Sequence, residues 1–451
     1  MEKYLGRWWL PEHPDDTVSG TLYYEPGIKI QLELIGTFGE QNDNLLAILL
    51  RSQSVDVIYG MSADGSEISL FNCSTSYSLN SRAGFPIARF SANSIVVGMH
   101  LYDIDDNQFF KAKIRIPELS YWFIPSYIEH YHLGETGNDG VQVTMPRLKN
   151  EQDCMSEQFT TPDDFSICLY NDACFHSDTF SLNLSFEQFS SLHIQSASPK
   201  SLRRFYEIVV RYEHFLSLAT LRQVSYSDFI LLSENCFQQV GEVKKFREIR
   251  VDTIFHAAPS TDKIDFIRFL FSYNTIHEQY QMIIKHWFLE DSEFNAIRGH
   301  FIETIDYKGP FSYINFMTVI QAVEGYGHRY MKSEIRKYKS SLDKKQKKQK
   351  TELHHILAVL LEYYKDIRCI DSALDIDLLV NTRDYHSHLF SNTKKEIADV
   401  SELYNLTNEL QKLLICCILS YLGLSNSDIE QIFKSTHNTL FHRPLNVAGK
   451  Q

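Results

Sequence analysis

No Cys-x-x-Cys pair occurs in the chain. Its eight cysteines (73, 154, 168, 174, 236, 369, 416 and 417) are scattered over 451 residues. A zinc ribbon therefore has no support, and the usage fits reduced, partly buried thiols. Cys168, Cys174 and His176 lie close together, but no fourth ligand stands at a supporting spacing. No apolar run reaches the length of a membrane-spanning helix; the best candidate, 413–422, is too short and contains Ser420. The opening residues, Met1-Glu2-Lys3-Tyr4-Leu5-Gly6, hold no apolar stretch of the signal-peptide kind. Net positive charge is also missing. At −13 the chain as a whole repels polyanions, so any nucleic-acid binding has to be local and patch-driven. The expectation is a soluble cytoplasmic protein with no metal, no cofactor and no membrane contact.

What the chain does have is material for cores. Hydrophobic residues make up 43% and charged residues 22%, with 30 Phe and 25 Tyr, a composition that packs into globular domains. At roughly 100–200 residues per domain, the length suggests two to four of them. Up to about residue 195 the pattern is that of strands. Ile28, Ile30, Leu32 and Leu34 alternate with Lys29, Gln31 and Glu33, the period of a half-buried antiparallel strand. Short apolar runs follow at 45–50, 55–61, 68–71, 95–99, 109–116, 121–124, 166–170 and 180–186, punctuated by Gly, Asn, Asp and Ser. Of Trp8 and Trp9, one is expected in the core and the other at a sheet edge. The Asp103, Asp105, Asp106 cluster lacks the glycine and glutamate of a calcium loop and reads as a polar hairpin tip.

Residues 196–306 mix the two periods. Ser198-Pro199 reads as the cap and first residue of a helix running to about Leu221. Strand character returns at 227–232 and 249–255, and helical character from Lys263. Residues 307–451 read as an up-and-down helical bundle. Glu324, followed by Gly325-Tyr326-Gly327-His328, lies on a first helix or at a local weakness in it. A basic tract follows: Arg329, Lys332, Arg336, Lys337 and Lys339, then Lys344 to Lys350. In so acidic a chain this clustering has two readings, a solvated helix end or a phosphate-facing patch, with Arg329, Lys332, Arg336 and Lys337 as candidate RNA contacts. The fold class expected is α+β: a β-rich domain over 1–195, an α+β region over 196–306 packed on it, and the helical bundle over 307–451.

The third helix of that bundle ends in Arg383-Asp384-Tyr385-His386-Ser387-His388. Asp384 and His388 are four apart and share a helical face, so the carboxylate can orient or charge the imidazole. Arg383 brings a permanent, fork-shaped phosphate ligand. An imidazole with a guanidinium is a minimal kit for cleaving RNA without metal. The histidine moves a proton at the 2′-hydroxyl or the leaving 5′-oxygen, and the arginine stabilises the phosphorane. A second acid/base group is needed. His386, Tyr385 or a second copy of the chain can supply it.

Arg-polar-x-x-x-His on the third helix of a C-terminal bundle resembles the HEPN ribonuclease family, with Arg383, Asp384 and His388 on the motif. Asn is commoner than Asp at the middle position. Gly6-Arg7-Trp8-Trp9-Leu10-Pro11, Gly20-Thr21-Leu22 and residues 32–36 are similar to the N-terminal domain of ApeA-type anti-phage proteins, which join such a domain to a HEPN domain. The resemblance implies metal-independent RNA cleavage, often of transfer RNA, that arrests growth during infection. It also implies a site formed across a homodimer of bundles, with an N-terminal body that senses a phage-derived trigger or restrains the dimer. Glu324 is an expected auxiliary residue. Two alternatives stay open: a bundle that only binds RNA or nucleotide, or only dimerises, and a toxin neutralised by modification of Tyr385.

Overall fold

A computed structural model of the chain describes residues 1–38, 54–78, 87–123, 134–136, 140–142, 155–178, 183–256, 262–306, 313–343, 350–388 and 395–441. The chain divides into two compact units. The first takes Met1–Ser120, Ile124–Glu213 and Val224–Asp262. The second takes Tyr121–Phe123, His214–Gln223 and Lys263–Gln451.

The first unit is strand-rich, as its alternating sequence requires. Strands β1 (Glu2–Trp9), β2 (Val18–Glu25), β3 (Lys29–Ile35), β4 (Ser54–Ser62), β5 (Glu67–Ser78) and β6 (Ile87–Ser91) pair in the order β5-β4-β1-β2-β3-β6. Strand β6 pairs with both β3 and β5, so the six close into a barrel and leave no edge between them. Trp8, Leu22, Leu32, Ile58, Leu70 and Phe90 fill its interior. Ile30, Leu32 and Leu34 share the buried face of β3 as their alternation predicts. Ile28 does not join them. It is 64% exposed, because the Pro26-Gly27 turn, with Gly27 at φ +63°, delays the strand by one residue. Trp8 is buried, while Trp9 sits edge-on to Tyr59 and His100 rather than at a sheet edge, since β1 lies between β2 and β4.

The sheet continues beyond the barrel. Strand β7 (Ser94–Val97) joins β5, and further strands follow, all antiparallel. These are β8 (Phe109–Arg115), β11 (Met155–Thr160), β12 (Phe165–Asp178), β13 (Asn183–Lys200), β14 (Asp228–Ser233) and β17 (Ile249–Thr253). Two separate hairpins, β9–β10 (Gly134–Thr136, Gly140–Gln142) and β15–β16 (Phe237–Val240, Val243–Phe246), complete the described strands. The expected strand at 45–50 lies outside the described residues. Of the expected strand at 121–124, the described residues 121–123 are not strand, because Pro117, with its φ already helical, starts helix α1 (Pro117–Trp122). The helix expected from Ser198-Pro199 starts later, as α2 (Leu202–Thr220). Residues 196–199 lie in a register shift of β13, where a proline without an N–H is tolerated. Ser201 is the capping side chain, its Oγ accepting from the Arg204 amide at 3.3 Å.

The second unit is helical among its described residues. The helical character expected from Lys263 takes the form of a 3₁₀ turn (Phe266–Arg268) followed by α3 (Tyr273–Ile276) and α4 (Tyr280–Trp287). Then come α5 (Ser292–Asp306), α6 (Tyr313–Tyr330), α7 (Lys332–Ser341), α8 (Glu352–Tyr363), α9 (Ile376–His388), α10 (Val400–Tyr421) and α11 (Asn426–Ser435). Their ends are sequence-coded. Thr351 caps α8, and Asp399 with Glu402 and Ser425 with Asp428 form capping boxes on α10 and α11. Gly423, at φ +93°, closes α10. Helix α6 is the hub and lies against α5, α7, α8, α9 and α10.

Of the two readings of Gly325-Tyr326-Gly327-His328, the continuous helix holds, for α6 runs through it. Gly327 is needed for a different reason. A Cβ there would stand 2.3 Å from Ile356 Cγ2 of α8, so the absent side chain sets how closely the two helices approach. At Gly325 the nearest atom to a Cβ is the mobile end of Arg329, at 2.7 Å. The two glycines should therefore respond oppositely. Gly325→Ala gains helix propensity of about 1 kcal/mol against an obstacle that can swing aside. Gly327→Ala gains the same but overpacks a rigid core contact, costing about 1–3 kcal/mol, and Gly327→Val gains less propensity while adding more bulk. Urea melts should show the midpoint rising for Gly325→Ala and falling for Gly327→Val. A fall of equal size in both would mean that the Ile356 contact is not what selects glycine.

Candidate active site

Helix α9 carries the candidate residues, and its placement begins at its first turn. The Asp375 side chain accepts from the Leu378 amide at 2.9 Å, and Lys350 reaches Asp377 Oδ2 at 2.7 Å. Leu379, Val380 and Thr382 form the buried side. The Thr382 hydroxyl accepts from the Ala398 amide at 3.0 Å, fastening the far end of α9 to the approach of α10. The remaining face, carrying Arg383 to His388, is left at the surface.

The structure brings three of the expected residues together. Arg383 Nη2 donates to Glu324 Oε2 of α6 at 2.8 Å, and Nη1 donates to Asp384 Oδ1 at 3.1 Å. The arginine side chain is 26% exposed and that of Glu324 19%. Burial pulls the Arg383 pKa down, but the two carboxylates outweigh it and hold the pKa above the ordinary arginine value. His328, one turn beyond Glu324, stands 3.9 Å from its other oxygen. Asp384, expected to face His388, is engaged by the neighbouring guanidinium. His388 is exposed at the end of α9.

His386 lies parallel to Tyr313 of α6, with ring centroids 5.2 Å apart and planes 2° from parallel. Tyr385 meets the same imidazole edge-on at 5.1 Å. Burial holds His386 below the usual histidine pKa, which keeps it a neutral donor and acceptor near neutral pH. The sequence reading passed over Tyr313 and His328. His328 carries a signal, since it is i+4 from Glu324. Tyr313 carries none, because its partner is 73 positions away (386 − 313).

The basic residues are spread over two helices. Lys332, Arg336 and Lys337 are exposed on α7, whereas Arg329 is half-buried with its guanidinium over Gly325, on the side of α6 that also meets Ile297 of α5. Lys339 is paired with Glu352. Positions 344–349 lie outside the described residues.

With this geometry in hand, the comparison with known families is direct. Residues 3–287 match the family model described as ApeA N-terminal domain 1, and residues 317–428 match the one described as Apea-like HEPN. The chain belongs to the ApeA family. The HEPN match runs from α6 to α11 and contains both Glu324 and the Arg383–His388 segment, so both halves of the resemblance read in the sequence are present. No curated protein matches the chain, and no solved structure does. Among the described residues, no helix is long and apolar enough to cross a membrane. Nor does any group of three His, Cys, Asp or Glu come together among them to hold a metal ion.

The setting of His386 makes a titration prediction. Its folded-state pKa lies below the unfolded value of about 6.5. Between the two values the folded chain binds fewer protons than the unfolded one, so this residue's contribution to stability is lost as pH falls below about 6.5. In an NMR titration assigned with His386→Gln, the His386 ring should change charge below the ordinary histidine range. Tyr313→Ala, by uncovering the ring, should move that midpoint upward. A midpoint at or above the ordinary value would contradict the burial.

Proposed function

We propose that this chain is an anti-phage effector whose HEPN site cleaves RNA without a metal ion, and that it is held dormant until a phage-derived signal reaches the β-rich body. The observation that carries the reading is the half-buried Arg383, fixed by Glu324 and Asp384 one turn before a surface-exposed His388. In this reading the 2′-oxygen attacks phosphorus while the P–O5′ bond breaks. His388 transfers a proton at one of these two oxygens, and Arg383 balances the charge that accumulates on the phosphorane. The products are a 2′,3′-cyclic phosphate and a 5′-hydroxyl. The second proton-transfer group is His386, or His388 of a second copy in a dimer of bundles. Asp384 and Glu324 hold the guanidinium, and Tyr385 abuts His386. Exposed Lys332, Arg336 and Lys337, with Arg329, contact the RNA backbone, and transfer RNA is the substrate class we favour.

Purified wild-type chain should cleave RNA, leave cyclic phosphate ends and continue to do so in EDTA. His388→Ala and Arg383→Ala should each lower the rate on the order of 10²–10⁴-fold with unchanged circular dichroism. Full cleavage by His388→Ala would overturn the assignment of the site. Loss of cleavage on chelation would overturn its independence of metal. A rate for His386→Gln equal to wild type would move the second group to the partner copy.

A further inference from the structure

The Tyr313–His386 pair does something that the proton-transfer scheme does not require. Tyr313 opens α6 and is 53% exposed, yet its ring is held parallel to an imidazole on another helix rather than buried in a core. The Tyr385 ring packs edge-on against the other member of the pair. An exposed aromatic ring fixed in orientation by a parallel ring behind it resembles the surfaces on which unpaired bases stack. Its position is the second observation. His386 is three residues from Arg383, and side chains at that spacing are neighbours on a helix, about 5–6 Å apart at Cβ. A phosphate held at the guanidinium therefore leaves an adjoining nucleoside within reach of the ring pair.

We infer that Tyr313, backed by His386, is a stacking platform for an unpaired nucleobase next to the bound phosphate, and that it restricts the site to single-stranded or looped RNA. A base inside a duplex is already stacked on its neighbours and cannot lie on a protein ring without leaving the helix. The inference rests on the ribonuclease reading above and adds a specificity-determining residue to it.

The test separates binding from cleavage by using the full chain carrying His388→Ala. A short fluorescein-labelled single-stranded RNA and the same sequence annealed as a duplex are titrated by anisotropy, and a 2-aminopurine version reports stacking by its quenching. Adding Tyr313→Ala should weaken single-strand binding on the order of tenfold, abolish the quenching and leave duplex binding unmoved. Tyr313→Phe, which keeps the ring, should restore both affinity and quenching, and this guards against a folding defect in the alanine variant. Equal single-strand affinity with and without the Tyr313 ring, or equal losses for single strand and duplex, would overturn the platform while leaving the RNA reading intact. If the parent with Tyr313 present binds neither RNA, the RNA reading fails and the platform fails with it.

Discussion

The bond between Arg383 and Glu324 is the constraint on which the candidate site depends. It joins the middle of α9 to the middle of α6, the helix that lies against five others. An exposed ion pair contributes about 0–1 kcal/mol, and breaking a fully buried one costs about 3–5 kcal/mol because the surviving charge is stranded. With the two side chains at 26% and 19% exposure, this pair lies between those limits. Its larger effect is geometric. The guanidinium is planar and its donors are fixed, so two carboxylates on different sides of it fix its orientation as well as its position. Thr382 supplies the matching restraint from below, through the Ala398 amide. The surface turn that carries His386 and His388 is therefore anchored on both sides, although it has few apolar contacts of its own.

How much of this was legible in the sequence depends on the range of the interaction involved. The alternation of Ile30, Leu32 and Leu34 reappears as the buried face of β3, and helices α10 and α11 are bounded by residues of capping type, Asp399, Ser425 and Gly423. Misreadings occurred where a local signal had two meanings. Ser198-Pro199 looks like a helix start but lies in a strand irregularity, and the true cap is Ser201. The apolar residues 121–124 look like a strand, but the preceding Pro117 has already started a helix. The sequence left Gly327 open between a continuous helix and a weakness in it, because its role is a contact between helices, which no one-dimensional pattern reports.

The site divides along the same line. Arg383, Asp384, His386 and His388 form a local string, so the sequence itself offers them as candidates. Glu324 was reachable only through the family resemblance, since 59 positions separate it from Arg383. The Tyr313–His386 stack lay beyond either route. Local motifs reveal which chemical groups are present. Their partners on other helices, which decide orientation and protonation, are products of packing.

Those partners also alter the electrostatics expected from the sequence. The basic tract looks like one positive surface when read as a string, but two of its charges are already matched. Lys339 pairs with Glu352 and Lys350 with Asp377, and outside the tract Arg383 pairs with two carboxylates. Lys332, Arg336 and Lys337 remain exposed on α7. On the proposed reading, capture and chemistry then use different charges. Attraction of a polyanion towards so acidic a chain falls to the exposed α7 cations, whose field is screened beyond about 8 Å at physiological salt. Arg383 has little field to project because its charge is balanced where it sits. It engages a phosphate only at contact, where the phosphate competes with Glu324 and Asp384 for the same donors. A site arranged in this way can hold RNA loosely without committing to the reaction, and the committing step is the exchange of a carboxylate for a phosphate on one guanidinium.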